Sequence, residues 1–271
     1  MEMSIKRCLV ILLLLPIGIL QQRISKPKNG KTTVRMAKIN EFPSTVVIFD
    51  EGNANCGGVI LASEWVLVAG NCFIGAEEMD FNNTRISAGS TYLSSGGSWH
   101  YVKEAHRSKK SSPFHGGGVG LIKVTPPFYL KGDYIKEAVL PSEELILKPE
   151  DVLTIVGHGG LLEEQIYQSD ELRKKESKLV DHEECKEDYE FINISIGDTC
   201  FCSQVPAAEE NRLCLWGASD VTFKDNAVVG LRVWDHNCGG FPNIHVQVSK
   251  YVKWIQKKIG KSQKKKKTAN K

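Results

Sequence analysis

Serines and seven histidines are the residues of this chain that could carry hydrolytic chemistry. In such chemistry a serine attacks a carbonyl carbon, a histidine takes the serine proton, and a buried aspartate orients the histidine. A dyad between a serine and one histidine is therefore one hypothesis. We favour the alternative that most of the histidines are loop residues or hydrogen-bonded polar groups. The seven are His100, His106, His115, His158, His182, His236 and His245.

Metal chemistry is not expected, because no Cys-x-x-Cys pair is accompanied by a second pair of ligands, as a structural zinc site requires. The chain has eight cysteines, and Cys8 falls in an N-terminal apolar segment. The odd number that remains leaves at least one thiol free or paired between chains. We expect no cofactor.

Short β-strands are the elements that must position these side chains. Gly, Asn, Pro and Ser clusters separate runs that are rich in β-branched and aromatic residues. Many such runs without intervening helices predict an all-β barrel or sandwich. The charged stretch Leu161–Glu190 is interpreted as a loop with one helical turn. The predicted strands include Val46–Phe49, Gly58–Leu61, Trp65–Val68, Leu121–Val124, Val152–Val156 and Val228–Trp234.

The end of the chain follows a different pattern. Val248, Val252, Ile255 and Ile259 recur at helical spacing, and Gly260 is expected to stop this helix. Residues 257–271 hold eight lysines and no acid, so the rest carries 27 basic and 32 acidic residues, a net charge of −5. An acidic body argues against nucleic-acid binding. The lysine-rich end is interpreted as a solvated tail, with electrostatic binding of anionic glycans as the alternative.

The first twenty residues predict a secretory signal peptide. Lys6 and Arg7 precede the apolar run Cys8–Leu20, whose thirteen residues are too few to span a bilayer. The residues before Gln21 do not form a small-x-small cleavage site, so an uncleaved anchor is the alternative. We expect a secreted, extracellular protein without a membrane span in its mature part.

Two parts of the sequence resemble the trypsin-like serine proteases. Cys56–Leu61 and Glu64–Cys72 are similar to the family's Cys-Gly-Gly-x-Leu-Ile and Trp-Val-Leu-Thr-Ala-Ala-His-Cys. Val228–Cys238 and Phe241–Ile255 are similar to its closing segment. Within this family the chain resembles the mite group 3 allergens and the scabies mite inactivated protease paralogues. The resemblance implies two six-stranded antiparallel β-barrels, an active-site cleft between them and a C-terminal α-helix.

The resemblance also divides the chain. We interpret residues 1–20 as the signal peptide and 21–42 as a propeptide-like or extended segment. Residues 43–259 form the trypsin-like domain, and 260–271 form the basic tail. No Arg/Lys-Ile-Val-Gly-Gly activation sequence occurs, so the resemblance implies that the zymogen switch is lost.

The catalytic triad of the family is degenerate in this sequence. Asn71 stands where the histidine before Cys72 belongs, and Gly118 stands where the aspartate belongs. Counting from Cys214 places Ala218 at the nucleophile position, and a shift of one residue places Ser219 there. The resemblance therefore implies an inactive protease homologue.

The oxyanion loop and the specificity pocket of the family are also altered. Trp216 replaces a glycine of the oxyanion loop, and Arg212 replaces the pocket aspartate that pairs with basic substrates. Asp235 and Asn243 replace glycines of the pocket walls, where their side chains would fill the entrance. Arg212 and Asp235 are expected to pair across the vacated pocket.

The resemblance implies three disulfides, Cys56–Cys72, Cys185–Cys202 and Cys214–Cys238. Cys200 is then the unpaired cysteine, either as a buried inert thiol or in an intermolecular disulfide. Two sequons, Asn82-Asn83-Thr84 and Asn193-Ile194-Ser195, mark Asn82 and Asn193 as glycosylation candidates.

Three functional hypotheses follow. The first is a secreted pseudoprotease that binds proteins by its surface, for which the resemblance to the mite paralogues implies interference with host complement. The second is a weak hydrolase with a rebuilt site that uses Ser219. The third is a competitor that binds protease substrates without cutting them, and Asp235 and Val233 in the substrate-binding strand argue against it.

Overall fold

The computed structural model of the protein describes residues 34–38, 40–73, 81–108, 118–161, 168–204, 213–214, 220–234 and 241–269. At 73, 82, 160–161, 213–214 and 261–269 it describes the backbone only. All of these residues belong to one compact unit, Lys31–Lys271.

The first half of this unit is a closed barrel of six antiparallel strands. Its strands pair in the order β2-β3-β4-β7-β6-β5, and β5 closes the barrel against β2. The strands are β2 (Thr45–Asp50), β3 (Asn53–Ala62), β4 (Trp65–Ala69), β5 (Thr84–Ala88), β6 (Ser98–Arg107) and β7 (Val119–Thr125). A 3₁₀ turn, Gly70–Phe73, follows β4, and a second one, Phe81–Asn83, precedes β5.

The second half is also a closed six-stranded antiparallel barrel. Its strands pair in the order β9-β10-β14-β13-β12-β8, and β8 closes the barrel against β9. The strands are β8 (Val152–Leu161), β9 (Gln168–Val180), β10 (Cys200–Gln204), β12 (Val221–Lys224), β13 (Ala227–Trp234) and β14 (Asn243–Gln247). Two short strands extend its sheet, β1 (Arg35–Met36) on β9 and β11 (Leu213–Cys214) on β8. The predicted fold class is thereby confirmed.

Strand β4 shows why the two barrels pack together. All five of its residues are buried, because both of its faces are covered. Val66 and Val68 face the core of the first barrel, whereas Trp65, Leu67 and Ala69 join a second cluster of buried side chains. That second cluster also contains residues of β8, β9, β12, β13 and β14. An alternating strand therefore contributes one face to its own barrel and the other to the contact between barrels.

Strand β9 shows that the loop part of the interpretation of Leu161–Glu190 is wrong, whereas the predicted helical turn falls in a helix, His182–Glu190. The strand spans thirteen residues and pairs with β1, β8 and β10. Lys175, Ser177 and Leu179 are buried, while Glu176 and Lys178 between them are exposed. The inward positions include polar residues, so the alternation of strand faces is not visible as a hydrophobic pattern.

The second half also contains two helices, one between β9 and β10 and one after β14. Helix α1 (His182–Glu190) begins at Asp181, whose side chain accepts hydrogen bonds from the backbone N–H groups of Glu183 and Glu184. Helix α2 (Val252–Ala269) follows a 3₁₀ turn, Val248–Tyr251, and continues past Gly260. The expectation that Gly260 stops the helix is wrong. Its cost of about 1 kcal/mol relative to Ala is offset by good helix formers on both sides.

The segment before β2 packs on the second barrel. Ala37 is buried, and Lys174 of β9 forms an ion pair with Glu41 at 2.6 Å.

Among the residues that the structure describes, no helix is both long and apolar enough to cross a membrane.

Candidate functional site

Asn71 lies at the face of the first barrel that meets the second barrel. It belongs to the 3₁₀ turn after β4, next to Cys72, which is bridged to Cys56 on β3. Its side-chain Nδ2 donates a hydrogen bond to the carbonyl of Val233 on β13, at 2.9 Å. The side chain of Asn71 therefore links the two barrels. The sequence predicts that it stands at the position of the triad histidine, where an amide cannot accept a proton near neutral pH.

Gly118 lies beside the same turn. It is buried just before β7, and its carbonyl accepts a hydrogen bond from the backbone N–H of Gly70 at 2.9 Å. Its φ of +58° lies in the left-handed region, which glycine adopts at little cost. The structure thus places Gly118 beside the residue that precedes Asn71. Its role as the replacement of the triad aspartate stays a prediction, and a glycine has no side chain to orient a base.

The nucleophile loop and most of the predicted pocket lie outside the described residues. This holds for Ala218, Ser219, Trp216, Arg212, Asp235 and Cys238, and for the side chain of Cys214. Their roles, the pairing of Arg212 with Asp235 and the bridge Cys214–Cys238 stay predictions. The described chain resumes at Asp220, directly after the nucleophile loop.

Asn243 is the residue of the predicted pocket wall that the structure describes, and it contacts an arginine. Its Oδ1 accepts a hydrogen bond from Nη1 of Arg232 on β13, at 3.2 Å. The guanidinium Nε of Arg232 lies 3.3 Å from Oδ2 of Asp220. The two side chains are 4% and 1% exposed, so a buried ion pair occupies the space beside Asn243.

Sequence reasoning missed both partners of this ion pair. Arg232 interrupts the apolar run of β13, Ala-Val-Val-Gly-Leu-Arg-Val-Trp, and that interruption was an available signal. A lone arginine in a buried strand needs a buried partner. Asp220, at the end of the nucleophile loop, is the nearest acid along the chain to precede β12. A backbone hydrogen bond from Arg232 N to the Asp220 carbonyl, at 2.8 Å, fixes their pairing.

Gly157 on β8 makes room for the carboxylate of this pair. A Cβ atom built at Gly157 would lie 1.8 Å from Oδ1 of Asp220, far inside van der Waals contact. Position 157 therefore has to be glycine as long as position 220 carries this aspartate. The three residues Gly157, Asp220 and Arg232 form one packing unit.

His245 on β14 lies directly across from Arg232 and is fully buried. Its ring nitrogens lie 2.8 Å from the Ser203 hydroxyl and 3.0 Å from the Thr222 hydroxyl. Burial and, to a smaller extent, the positive charge of Arg232 lower the pKa of His245 to about 3. The ring is neutral and enclosed in the barrel, so it cannot serve as a base in the cleft.

The other described histidines also contact residues other than Asn71. His158 is buried on β8 near Asp170, and burial lowers its pKa to about 4. His115 and His236 lie outside the described residues. The remaining three have partners elsewhere: Ser98 and Pro126 for His100, Glu104 and Lys258 for His106, and Asp198 for His182.

This arrangement of two six-stranded barrels agrees with the comparison to known families. The family model described as Trypsin matches residues 32–255, which is most of the chain. The chain belongs to the trypsin family. Hypodermin-B of Hypoderma lineatum is 27% identical to this trypsin-family chain over 223 residues, which are 81% of this chain and 83% of that protein.

Two solved structures of scabies mite inactivated protease paralogues share the trypsin fold with this chain. Paralogue S-D1 superposes with a TM-score of 0.75 at 23% identity, over 85% of this chain and 97% of that one. Paralogue S-I1 superposes with a TM-score of 0.71 at 26% identity, over 86% of this chain and 100% of that one. The resemblance to the mite paralogues is thereby confirmed.

The trypsin-family disulfides are present where the structure describes both cysteines. Cys56–Cys72 links β3 to the turn that carries Asn71, and Cys185–Cys202 links α1 to β10. Cys200 lies outside both disulfides and is 3% exposed, and burial raises the pKa of its thiol to about 12. Of the two alternatives for Cys200, the structure favours the buried inert thiol.

Triad chemistry in a trypsin-family site needs a base, an orienting carboxylate and a pocket that accepts the substrate. At the positions predicted for the base and its orienting carboxylate, Asn71 carries an amide and Gly118 carries no side chain. Arg232 lies beside Asn243, which is predicted to line the pocket. Within the described ranges, no three His, Cys, Asp or Glu side chains lie close enough together to hold a metal ion.

Proposed function

We propose that this chain is a secreted, catalytically inactive trypsin homologue that acts by binding other proteins. The observation that carries the proposal is Arg232, held beside Asn243 by its buried ion pair with Asp220. A substrate side chain entering there would have to displace a desolvated cation and leave Asp220 uncompensated. The amide of Asn71 in the base position supports the same conclusion.

The loss of catalysis is tested with the purified mature protein. A fluorophosphonate probe and a broad peptide library should show neither labelling nor cleavage above the background of denatured protein. The second hypothesis, a weak hydrolase, predicts labelling that disappears in Ser219→Ala. Labelling of Ser219 well above the rate of free serine would overturn the proposed inactivity.

The competitor hypothesis requires a strand edge to which a peptide backbone can pair, as in β-strand addition. At Val233 this edge is occupied, because the carbonyl already accepts a hydrogen bond from Asn71. We therefore favour binding by outer surfaces over binding of substrates in the cleft.

Secretion is part of the proposal. Cys56–Cys72 and Cys185–Cys202 are disulfides of the kind that form in oxidising compartments, and the N-terminal segment has the pattern of a signal peptide. Expression of the full chain in insect cells should deliver a processed protein to the medium. Retention of the full-length chain in the cell membrane would favour the uncleaved anchor.

Host defence proteins, complement components among them, are the partners that we propose from the resemblance to the mite paralogues. The immobilised mature chain should retain specific plasma proteins that an inactivated trypsin of ordinary sequence does not retain. Addition of the chain to serum should reduce complement-dependent lysis in proportion to its concentration. No difference from the inactivated trypsin in either assay would refute this choice of partner.

A second candidate function, binding of anionic glycans, is favoured by the extent of α2. Residues 257–267 contain seven lysines, and the helical backbone gathers them within about 16 Å of helix length. Such a charge density should bind sulfated polymers in a salt-dependent way.

Heparin chromatography tests this candidate. Replacing Lys264, Lys265, Lys266 and Lys267 by Gln should lower the salt concentration of elution markedly. The matched control replaces four exposed lysines of the body by Gln, namely Lys103, Lys131, Lys136 and Lys148. If both variants elute at the same salt concentration, the helix is not the binding element.

A further inference from the structure

Helix α1 ends in a turn that displays the sequon Asn193-Ile194-Ser195. The N–H of Ile194 donates to the carbonyl of Tyr189 at 2.9 Å, and the N–H of Asn193 donates to that of Glu190 at 2.9 Å. These two bonds form a Schellman motif, with Asn193 as the left-handed residue at φ +60°. Asn193 and Ser195 are both exposed, so the sequon stands free at the surface of the second barrel.

Phe191, in the same turn, is the most exposed large apolar side chain of the described residues. It is 87% exposed, whereas Ile194 and Tyr189 beside it pack into the cluster around Cys185 and Cys202. A phenylalanine in this position gains nothing from the fold, because its ring remains in water. Asn193 follows Phe191 by two positions in the same turn.

We propose that Asn193 carries an N-linked glycan and that Phe191 packs against its first N-acetylglucosamine. In the modification, Nδ2 of Asn193 forms a bond to the anomeric carbon of the sugar and gives up one proton. The bond from that carbon to the oxygen of a lipid-diphosphate oligosaccharide donor breaks. The C–H groups on one face of the pyranose ring are then available to the electron-rich face of the Phe191 ring.

The left-handed backbone alone accounts for part of this arrangement. Asparagine is the residue after glycine that most readily occupies this position of a Schellman motif. That requirement explains Asn193, but it explains neither the exposed Phe191 nor the exposed hydroxyl of Ser195. A covalently attached sugar explains all three residues together.

Mass spectrometry of the protein secreted from insect cells tests the modification. The tryptic peptide that contains Asn193 should carry a glycan in most molecules, and Ser195→Ala should abolish it. Ser195→Ala is the appropriate variant because it leaves Asn193 and its left-handed backbone in place. Absence of a glycan from Asn193 in the secreted wild-type protein overturns the proposal.

A thermal double-mutant cycle tests the contact with Phe191. Wild type, Phe191→Ser, Ser195→Ala and the double variant are melted under the same conditions. The glycan should raise the unfolding midpoint by about 2–4 °C when Phe191 is present and by much less in the Phe191→Ser background. Additive midpoints refute the packing on Phe191, even if the glycan is found.

Discussion

Arg232 and Asp220 form a buried ion pair between β13 and the residue that precedes β12, with Nε 3.3 Å from Oδ2. Three features of the surrounding structure hold the two side chains in place. A backbone hydrogen bond joins the same two residues, Asn243 accepts from the guanidinium, and Gly157 leaves space for the carboxylate. A buried ion pair therefore lies beside Asn243, the residue that the sequence predicts at the wall of the substrate pocket.

Removal of Asp220 alone should be strongly destabilising. Asp220→Ala leaves the guanidinium of Arg232 buried without its counter-charge, which typically costs about 3–5 kcal/mol of unfolding free energy. The double variant Asp220→Ala with Arg232→Val should recover most of this loss, since both charges are gone. Urea denaturation at pH 7 measures both variants. Glu143→Gln, which breaks an ion pair with the exposed Lys253, is the control and should leave the midpoint unchanged. Equal losses in the single and double variants would contradict the ion-pair interpretation.

Gly157→Ala should destabilise the protein through the same unit. The new methyl group would meet Oδ1 of Asp220 at 1.8 Å, and such overpacking costs roughly 1–3 kcal/mol. Gly132→Ala is the matched control, because a Cβ there has no neighbour within 4 Å. In the Asp220→Ala background, Gly157→Ala should not lower the unfolding free energy further, because the carboxylate that the methyl group would meet is gone. A stability of Gly157→Ala equal to that of Gly132→Ala is the contrary result.

Restoration of the triad should not restore trypsin activity. Asn71→His, Gly118→Asp and Ala218→Ser supply the three side chains, but Arg232 remains beside Asn243. Aspartate at position 118 would also have to adopt a φ of +58°, which costs a non-glycine residue roughly 1–2 kcal/mol. Loss of one hydrogen-bond donor of the oxyanion hole alone lowers the rate about a hundred- to thousand-fold. The assay is cleavage of Arg and Lys amide substrates, and efficient turnover by the triple variant would refute this.

Stability should fall as the pH is lowered from 6.5 towards 4.5. His158 and His245 stay neutral in the fold, with pKa values lowered to about 4 and about 3, mainly by burial. The unfolded chain binds a proton at each of them below about pH 6.5, so it holds more protons than the folded chain in this window. Each histidine therefore contributes a loss of about 1.4 kcal/mol per pH unit.

His158→Leu checks the assignment of this slope. Urea denaturation between pH 4.5 and 6.5 measures how the unfolding free energy changes with pH. In His158→Leu this slope should correspond to about one proton fewer taken up on unfolding than in the wild type. Ile146→Ala, which removes an exposed side chain that does not titrate, is the control and should retain the slope of the wild type. An unchanged slope in His158→Leu would show that the pH dependence arises elsewhere.

The strands of the core were predictable because they alternate or are uniformly apolar. The six predicted runs lie in β2, β3, β4, β7, β8 and β13. Strand β9 was not, since Lys175 and Ser177 occupy inward positions that a hydrophobic pattern would assign to loops. The helix past Gly260 was also missed, because one unfavourable residue was weighed more heavily than the helix formers around it.

The candidate site was predictable only where cysteines and strands fix the alignment. Cys72 fixes Asn71, and β7 fixes Gly118, so both could be assigned from the sequence. Arg232 and Asp220 could not, because they are separated by twelve positions and their partnership depends on the pairing of β12 with β13. A buried ion pair leaves no local motif, and only the topology brings its charges together.

The position of Cys200 has a consequence for the integrity of the disulfides. Cys200 and Cys202 lie two residues apart on β10, on the same face and in the same buried cluster as Cys185. A thiol so close to a bridge could attack it by thiol–disulfide exchange and shift the bond from Cys202 to itself. Only the thiolate attacks, and a pKa of about 12 leaves about one molecule in 10⁵ in that form at pH 7. The same burial that makes the odd cysteine unreactive towards partners thus protects the neighbouring bridge from isomerisation in the folded protein.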